Sequence, residues 1–163
     1  MANIRTHMTD IKIAYITANC NNTGLGAKTN ERIETLMAPA STIDAIVLNC
    51  QEVHFATLEK ELKAKGLTPI KVAHRVTYTK SLKSTQLLTR AGEGISALHS
   101  MVWGDTGIAT YVICKKGTTY KNVDTHPFVE VKNDKNSNKG GLISRFMLEK
   151  AGNPKPTTID SIS

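Results

Sequence analysis

Apolar and polar positions along the chain alternate with two different periods, and these mark out its elements. From Ile43 to Val53 the sequence reads Ile-Asp-Ala-Ile-Val-Leu-Asn-Cys-Gln-Glu-Val, a short apolar run rich in β-branched residues that predicts a buried strand. The run closes on Asn49, Cys50, Gln51 and Glu52, so polar side chains gather where a strand ends, a place where sheet proteins commonly carry chemistry. Ile11 to Ile16 alternates and predicts another strand, which stops at Thr17 to Gly24. Between the two, Asn30 to Met37 sets Ile33, Leu36 and Met37 on one helical stripe, with Asn30 as its cap and Pro39 beyond its end. Strand, helix and strand predict a crossover with both strands parallel in one sheet. That arrangement brings Asn19 and Glu52 to the same edge.

The rest of the chain supplies one more helix and several short strands. Phe55 to Lys65 has Leu58 and Leu62 four apart and a stop at Gly66. Leu67 to Tyr78, Ile95 to Trp103 and Gly107 to Cys114 alternate, the last two joined by a turn at Gly104-Asp105-Thr106-Gly107. Lys115 to Thr118 turns the chain again, and Thr119 to Asp124, Phe128 to Val131 and Gly141 to Leu148 read as further strands. Thr79 to Gly94 carries Lys80, Lys83 and Arg90 without a clear period, either a surface loop or a basic lip over an anionic substrate. Lys132 to Lys139 is an exposed polar loop. Residues 1–10 read as a leader or tag remnant, 11–148 as the domain, and 149–163 as a turn with a tail or interrupted strand. The fold class is α+β, with helices packed on one face of a mixed, mostly antiparallel sheet.

Composition narrows the function classes. With 163 residues, 40% hydrophobic and 21% charged, the chain suits one soluble globular domain. No apolar run approaches a membrane span and the N-terminus lacks a signal-peptide core, so the expected location is the cytoplasm, or outside the cell as an effector without a recognisable signal. A net charge of +7 favours anionic partners: phosphates, nucleic acid or an acidic membrane face. Cys20, Cys50 and Cys114 have no metal-type spacing and read as small buried thiols, the first two placed to line a pocket floor.

An ionised carboxylate at a strand end needs a cation or a dense set of donors. An amide oxygen from Asn19 and the carboxylate of Glu52 suit Mg²⁺, a hard ion that keeps several waters. A polar residue closing a strand is equally a turn former or cap, and the residues alone leave both readings open. His54, just beyond Glu52, faces either the site or the packing around it. Lys139 precedes Gly140 and Gly141, which permit close backbone approach, so its ammonium can meet a phosphate.

Three motifs occur in order: Ala18-Asn19-Cys20-Asn21, then Gln51-Glu52-Val53, then Asn138-Lys139-Gly140-Gly141 leading into a strand with Arg145-Phe146. This order resembles the endonuclease/exonuclease/phosphatase superfamily, and within it the inositol polyphosphate 5-phosphatases, whose strands end in Trp-Asn-x-Asn/Gly and Gln-Glu-(Val/Ile) before an Asn-Lys-Gly-(Gly/Ala) strand. The resemblance implies about half of a four-layer α/β/β/α sandwich. It also implies Mg²⁺ held by Glu52 and Asn19, and contacts from Lys139, Asn138 and Asn21 to a phosphorylated inositol or anionic lipid. Two departures bear on catalysis. Ala18 stands in place of the family's tryptophan, and no His-bearing strand, Asp-x-Asn motif or Asp-His pair follows Phe146. The general base and the His/Asp pair are therefore missing, and the expectation is a truncated portion that is inactive alone. Its inner sheet face should be apolar and unprotected, covered by a second copy or by the missing half. Two alternatives stand beside this reading: a nuclease of the same superfamily, less favoured by Asn-Lys-Gly-Gly, and a non-catalytic module binding an anion, a phosphoinositide or a protein.

Overall fold

A computed structural model describes residues 10–78, 106–123, 131–132, 140–153 and 155–162. The expectations for the leader, the Thr79 to Gly94 lip, the strand from Ile95 to Trp103 and the Lys132 to Lys139 loop fall wholly or largely outside these residues.

The crossover forms as the pattern predicts. Strand β1 (Ile13–Thr23) leads through helix α1 (Ala27–Met37) to β2 (Ala45–His54), and the two strands pair in parallel. Helix α2 (Phe55–Ala64) follows, then β3 (Pro69–Tyr78) and β4 (Thr106–Cys114), which complete a four-stranded sheet in the order β1-β2-β4-β3. Its other two pairings are antiparallel, so the sheet is mixed. Both helices lie on one face. Ile33 from α1 and Phe55, Leu58 and Leu62 from α2 share a core with Ile16, Ile46, Leu48, Tyr111 and Ile113.

The helix ends show local and distant causes side by side. Gly66, at φ 73, closes α2: its amide bonds the Lys63 carbonyl and the Leu67 amide bonds the Leu62 carbonyl. The start of α1 departs from expectation. Asn30 is not the cap but sits inside the helix, which begins at Ala27 after Gly26, and its Nδ2 donates to the Leu25 carbonyl at 3.0 Å. The chain is instead held ahead of α1 by Glu61 of α2, whose Oε2 accepts from the Leu25 amide at 2.9 Å. A Cβ on Gly24 would lie 2.1 Å from the other Glu61 oxygen, so that residue's missing side chain admits the carboxylate.

A second sheet corrects the expectation of an uncovered inner face. Strands β5 (Thr118–Asn122), β8 (Ile143–Lys150) and β9 (Thr157–Ile162) form an antiparallel sheet in the order β5-β8-β9, beside a short ladder of β6 (Val131–Lys132) with β7 (Gly140–Gly141). Phe146, Leu148 and Ile159 from this sheet pack on Ala45, Val47 and Val112, closing the face opposite the helices. Of the tail and the interrupted strand expected within 149–163, the strand forms as β9, because Ile159 and Ser161 alternate inward along a strand that pairs with β8. The described residues thus form three layers, helices on sheet on sheet. The outer face of the second sheet carries ion pairs, Lys121 with Glu149 at 2.7 Å and Arg145 with Asp160 at 2.6 and 2.9 Å, beside the half-buried Met147 and the exposed Ile162. Charges so paired are at home in water, and no second helical layer covers them among the described residues. No described helix is long and apolar enough to cross a membrane.

Candidate functional site

The parallel pairing sets Asn19 of β1 directly opposite Gln51 of β2, so Asn19 and Glu52 reach the same sheet edge within one residue of each other. Just there the ladder loses its register on both strands. Four steps along β1, from Asn19 to Thr23, span two along β2, and three along β2, from Cys50 to Val53, span two along β4. These are β-bulges, which bend a strand and re-aim its side chains. They contain the only two non-glycine residues with left-handed backbones among the described residues, Asn21 at φ 46 and Glu52 at φ 50. Asn21 adopts that conformation readily and is held in it by Asn19, whose Oδ1 accepts from the Asn21 amide at 2.9 Å. For Glu52 the conformation costs about 1–2 kcal/mol, strain of the kind that gathers at functional positions.

Exposure follows from the bulge. Cys50 and Val53 are both buried beneath the helices, so the extra residue leaves Gln51 and Glu52 together in solvent. Asn19 and Asn21 are exposed beside them. Among the described residues Glu52 has neither a hydrogen-bond nor an ion-pair partner, leaving its carboxylate oxygens available to a ligand. Asn19 uses one lone pair of its amide oxygen on Asn21 and keeps another. It is therefore a turn former, and the turn still leaves it able to act as a ligand.

Beneath this edge the space between the sheets changes from apolar to polar. Ala45 and Val47 face the second sheet, and the next inward residue of β2 is Asn49, 5% exposed. Its Nδ2 donates to the Ile162 carbonyl at 2.8 Å, and its Oδ1 accepts from the hydroxyls of Ser161 at 3.0 Å and Thr110 at 3.2 Å. Asn49 thereby ties β2 to β4 and β9 three residues before Glu52. Sequence reasoning passed over it, although an amide placed straight after four apolar residues of a buried strand is a signal that partners must be supplied there.

Other expected members of the site lie elsewhere. His54 is buried and caps α2, its Nδ1 accepting from the Thr57 amide at 3.1 Å, so it belongs to the packing and not to the site. Cys20 and Cys50 are buried on the helix side of the sheet and do not line the edge where Asn19 and Gln51 are exposed. The Cys50 thiol is pushed up by its hydrogen bond with Cys20 and by burial, as suits an inert core thiol. Lys139 and Asn138 lie outside the described residues, although Gly140 and Gly141, which follow them, form β7.

The donors at the edge are hard oxygens, one carboxylate and one amide, and no group of three His, Cys, Asp or Glu side chains gathers among the described residues. Oxygen donors of this kind are those Mg²⁺ takes, an ion that binds through one or two protein groups and retains water elsewhere, and not the several nitrogen or sulfur ligands that zinc needs. Comparison of the chain with protein-family models, with curated proteins and with solved structures finds no match.

Proposed function

We propose that this chain is a Mg²⁺-binding, phosphoesterase-like domain related to the inositol polyphosphate 5-phosphatases of the endonuclease/exonuclease/phosphatase superfamily, able to bind a phosphate ester but turning it over little by itself. The observation that carries this reading is the parallel pairing of β1 with β2, which delivers Asn19 and a strained Glu52, unpartnered among the described residues, to one edge. Where the resemblance implies about half of a four-layer sandwich, the described residues supply three layers, helices on sheet on sheet. Glu52 and Asn19 hold the ion, and Asn21, Asn138 and Lys139 contact the phosphate. The net charge of +7 draws phosphorylated inositols or anionic lipids toward it. Bound at that edge, Mg²⁺ supplies charge stabilisation to a phosphoryl oxygen. On the resemblance, the general base and the His/Asp pair have no counterpart in this sequence, so turnover is expected to be weak, since phosphoryl transfer depends on positioned groups.

Titration of ¹⁵N-labelled protein with Mg²⁺ tests the proposal, followed by inositol hexakisphosphate with and without the ion. Mg²⁺ should shift the amides of Asn19, Gln51 and Glu52, and Glu52→Gln should weaken binding at least tenfold, in line with removal of a metal's charged ligand. Unchanged Mg²⁺ affinity in Glu52→Gln would overturn the assignment. Brisk, Mg²⁺-dependent phosphate release by the wild-type chain would overturn the claim of weak turnover.

The lack of a group of three ligating side chains among the described residues favours one other reading, a non-catalytic module that binds a phosphoinositide or other anion without metal. Binding that persists undiminished in EDTA supports that reading. Steeply salt-dependent binding to DNA, stronger than to the inositol phosphate, points to the nuclease branch instead.

A further inference from the structure

The strained bulge at Glu52 poses a physical question that its own neighbours do not answer. A left-handed glutamate persists only where the surrounding structure over-determines it. Downstream the chain is secured at once: Val53 is buried in the helix-side core and His54 caps α2. On the neighbouring strand Asn19 holds Asn21. Upstream, Cys50 is buried in the helix-side core, and on the opposite face of β2 the anchor is Asn49, which clasps the Ile162 carbonyl and the Ser161 hydroxyl on β9 and the Thr110 hydroxyl on β4. The β9 partners lie 113 and 112 residues away and Thr110, within the first sheet, 61, so the two bonds to β9 form only once the second sheet has docked.

We infer that Asn49 is a positioning residue for Glu52, and that by fastening β2 to β9 it holds the bulge in the conformation that presents the Glu52 carboxylate beside Asn19. This rests on the reading of Glu52 as a ligand for Mg²⁺. Asn49 points between the sheets, whereas Glu52 is in solvent, so the effect passes through the backbone of Cys50 and Gln51. A residue that acts in this way changes the geometry and affinity of the site without supplying a donor to it. Replacing partners that orient metal ligands weakens binding by about tenfold to a hundredfold. The seating of β9 thereby becomes coupled to the capacity of the edge to take up an ion.

Two readouts on the full chain test the inference. The first needs no ion: the backbone three-bond coupling and secondary shifts of Glu52, which report φ directly. In Asn49→Ala these should move from left-handed toward extended values. The second is Mg²⁺ affinity by amide shift titration, expected to fall at least tenfold in Asn49→Ala. In Ser161→Ala, which keeps the Ile162 link, it should fall about twofold to threefold. Ile33→Val in the helix-side core serves as a control, lowering the melting temperature while leaving both readouts at their wild-type values. If Asn49→Ala does not fold, Ser161→Ala alone decides the matter by the same two readouts. Wild-type φ and wild-type affinity in these variants, with Glu52→Gln still abolishing binding, would overturn the role of Asn49 and leave the Mg²⁺ site standing. Loss of the left-handed φ in Asn49→Ala while Glu52→Gln binds Mg²⁺ normally would overturn the Mg²⁺ reading and, with it, the functional consequence drawn for Asn49.

Discussion

Lys150, at the end of β8, places its ammonium 2.9 Å from the carboxylate of Asp44, the residue just ahead of β2. The same carboxylate accepts from the Lys12 amide at 2.8 Å, ahead of β1. One side chain therefore joins the starts of two strands in the first sheet to the end of a strand in the second, at the opposite end of the sandwich from Asn49 and Glu52.

That relationship gives the fold an acid limb. Burial pushes the Asp44 carboxyl up, but the Lys12 amide and the Lys150 and Lys115 ammonium groups outweigh it, so the carboxyl lies below its ordinary value of 3.8. Asp160 is held below the same value mainly by its hydrogen bond from Arg145. A carboxylate lowered in the folded state stabilises the fold above its unfolded pKa and ceases to do so as pH falls through the folded one. The melting temperature should therefore be flat with respect to these two groups from pH 7 to about pH 5 and decline from about pH 4 downward. Scanning calorimetry should show Asp44→Asn below wild type at pH 6 and the gap narrowing as pH falls below the ordinary carboxyl value toward the lowered folded one. A gap that stays constant over that range would refute the assignment.

Glycine at position 52 should stabilise the protein. Glu52 holds a backbone φ of 50, which costs a non-glycine residue about 1–2 kcal/mol and costs glycine almost nothing, although glycine loses more chain entropy on folding. The balance favours Glu52→Gly by about 0.5–1 kcal/mol, or roughly 2–3 °C in melting temperature for a chain of this length. The same substitution should remove Mg²⁺ binding. Greater stability with lost binding is the signature of a residue kept for function; a drop in stability would show that the Glu52 side chain supports the fold itself.

The docking of the second sheet is expected to carry much of the stability. Phe146 is fully buried between the sheets, and Phe146→Ala should cost about 3–5 kcal/mol in urea unfolding. Met147, the next residue, is only half-buried on the outer face, and Met147→Ala should cost less than about 1 kcal/mol. Equal losses would mean that the two sheets are not packed through the Phe146 face. Because that face is closed within one chain, sedimentation at tens of micromolar should give a monomer.

The thiols should be slow to react in the folded protein. Burial pushes Cys114 up to about 11, so at pH 8 about one thiol in a thousand is ionised. Cys20 and Cys50 are more deeply enclosed, and Cys50 is pushed up by Cys20 as well. Mass-resolved alkylation with iodoacetamide should label Cys20 and Cys50 in urea and spare them in buffer. Rapid labelling of either residue in buffer would place it at an accessible surface.

How much was legible differed from residue to residue. The left-handed stop at Gly66 and the apolar stripes of both helices depend on neighbours within a turn or two, and both are plain in the pattern. The start of α1 was misread because its anchor, Glu61, comes from another helix, and an asparagine inside the helix resembled a cap. Residues 157–162 read as either a tail or an interrupted strand because two prolines and a glycine precede them, and the alternation of Ile159 and Ser161 becomes a strand once β8 is there to pair with. At the site, Asn19 and Glu52 could be seen as polar residues ending strands. The bulges that expose them could not be seen, because a register shift is a property of two strands and not of one.

Taken by itself, the order of amino acids determined the periodic elements, the β1-α1-β2 crossover and the presence of oxygen donors at two strand ends, since side-chain spacing and β-branching act over a few residues. Only the tertiary structure decided that a second sheet covers the first, that Asn49 clasps β9 and that Glu52 stands strained in solvent, unpartnered among the described residues. Those outcomes depend on partners as far as 113 residues away, and no local preference can specify the register in which such distant strands meet.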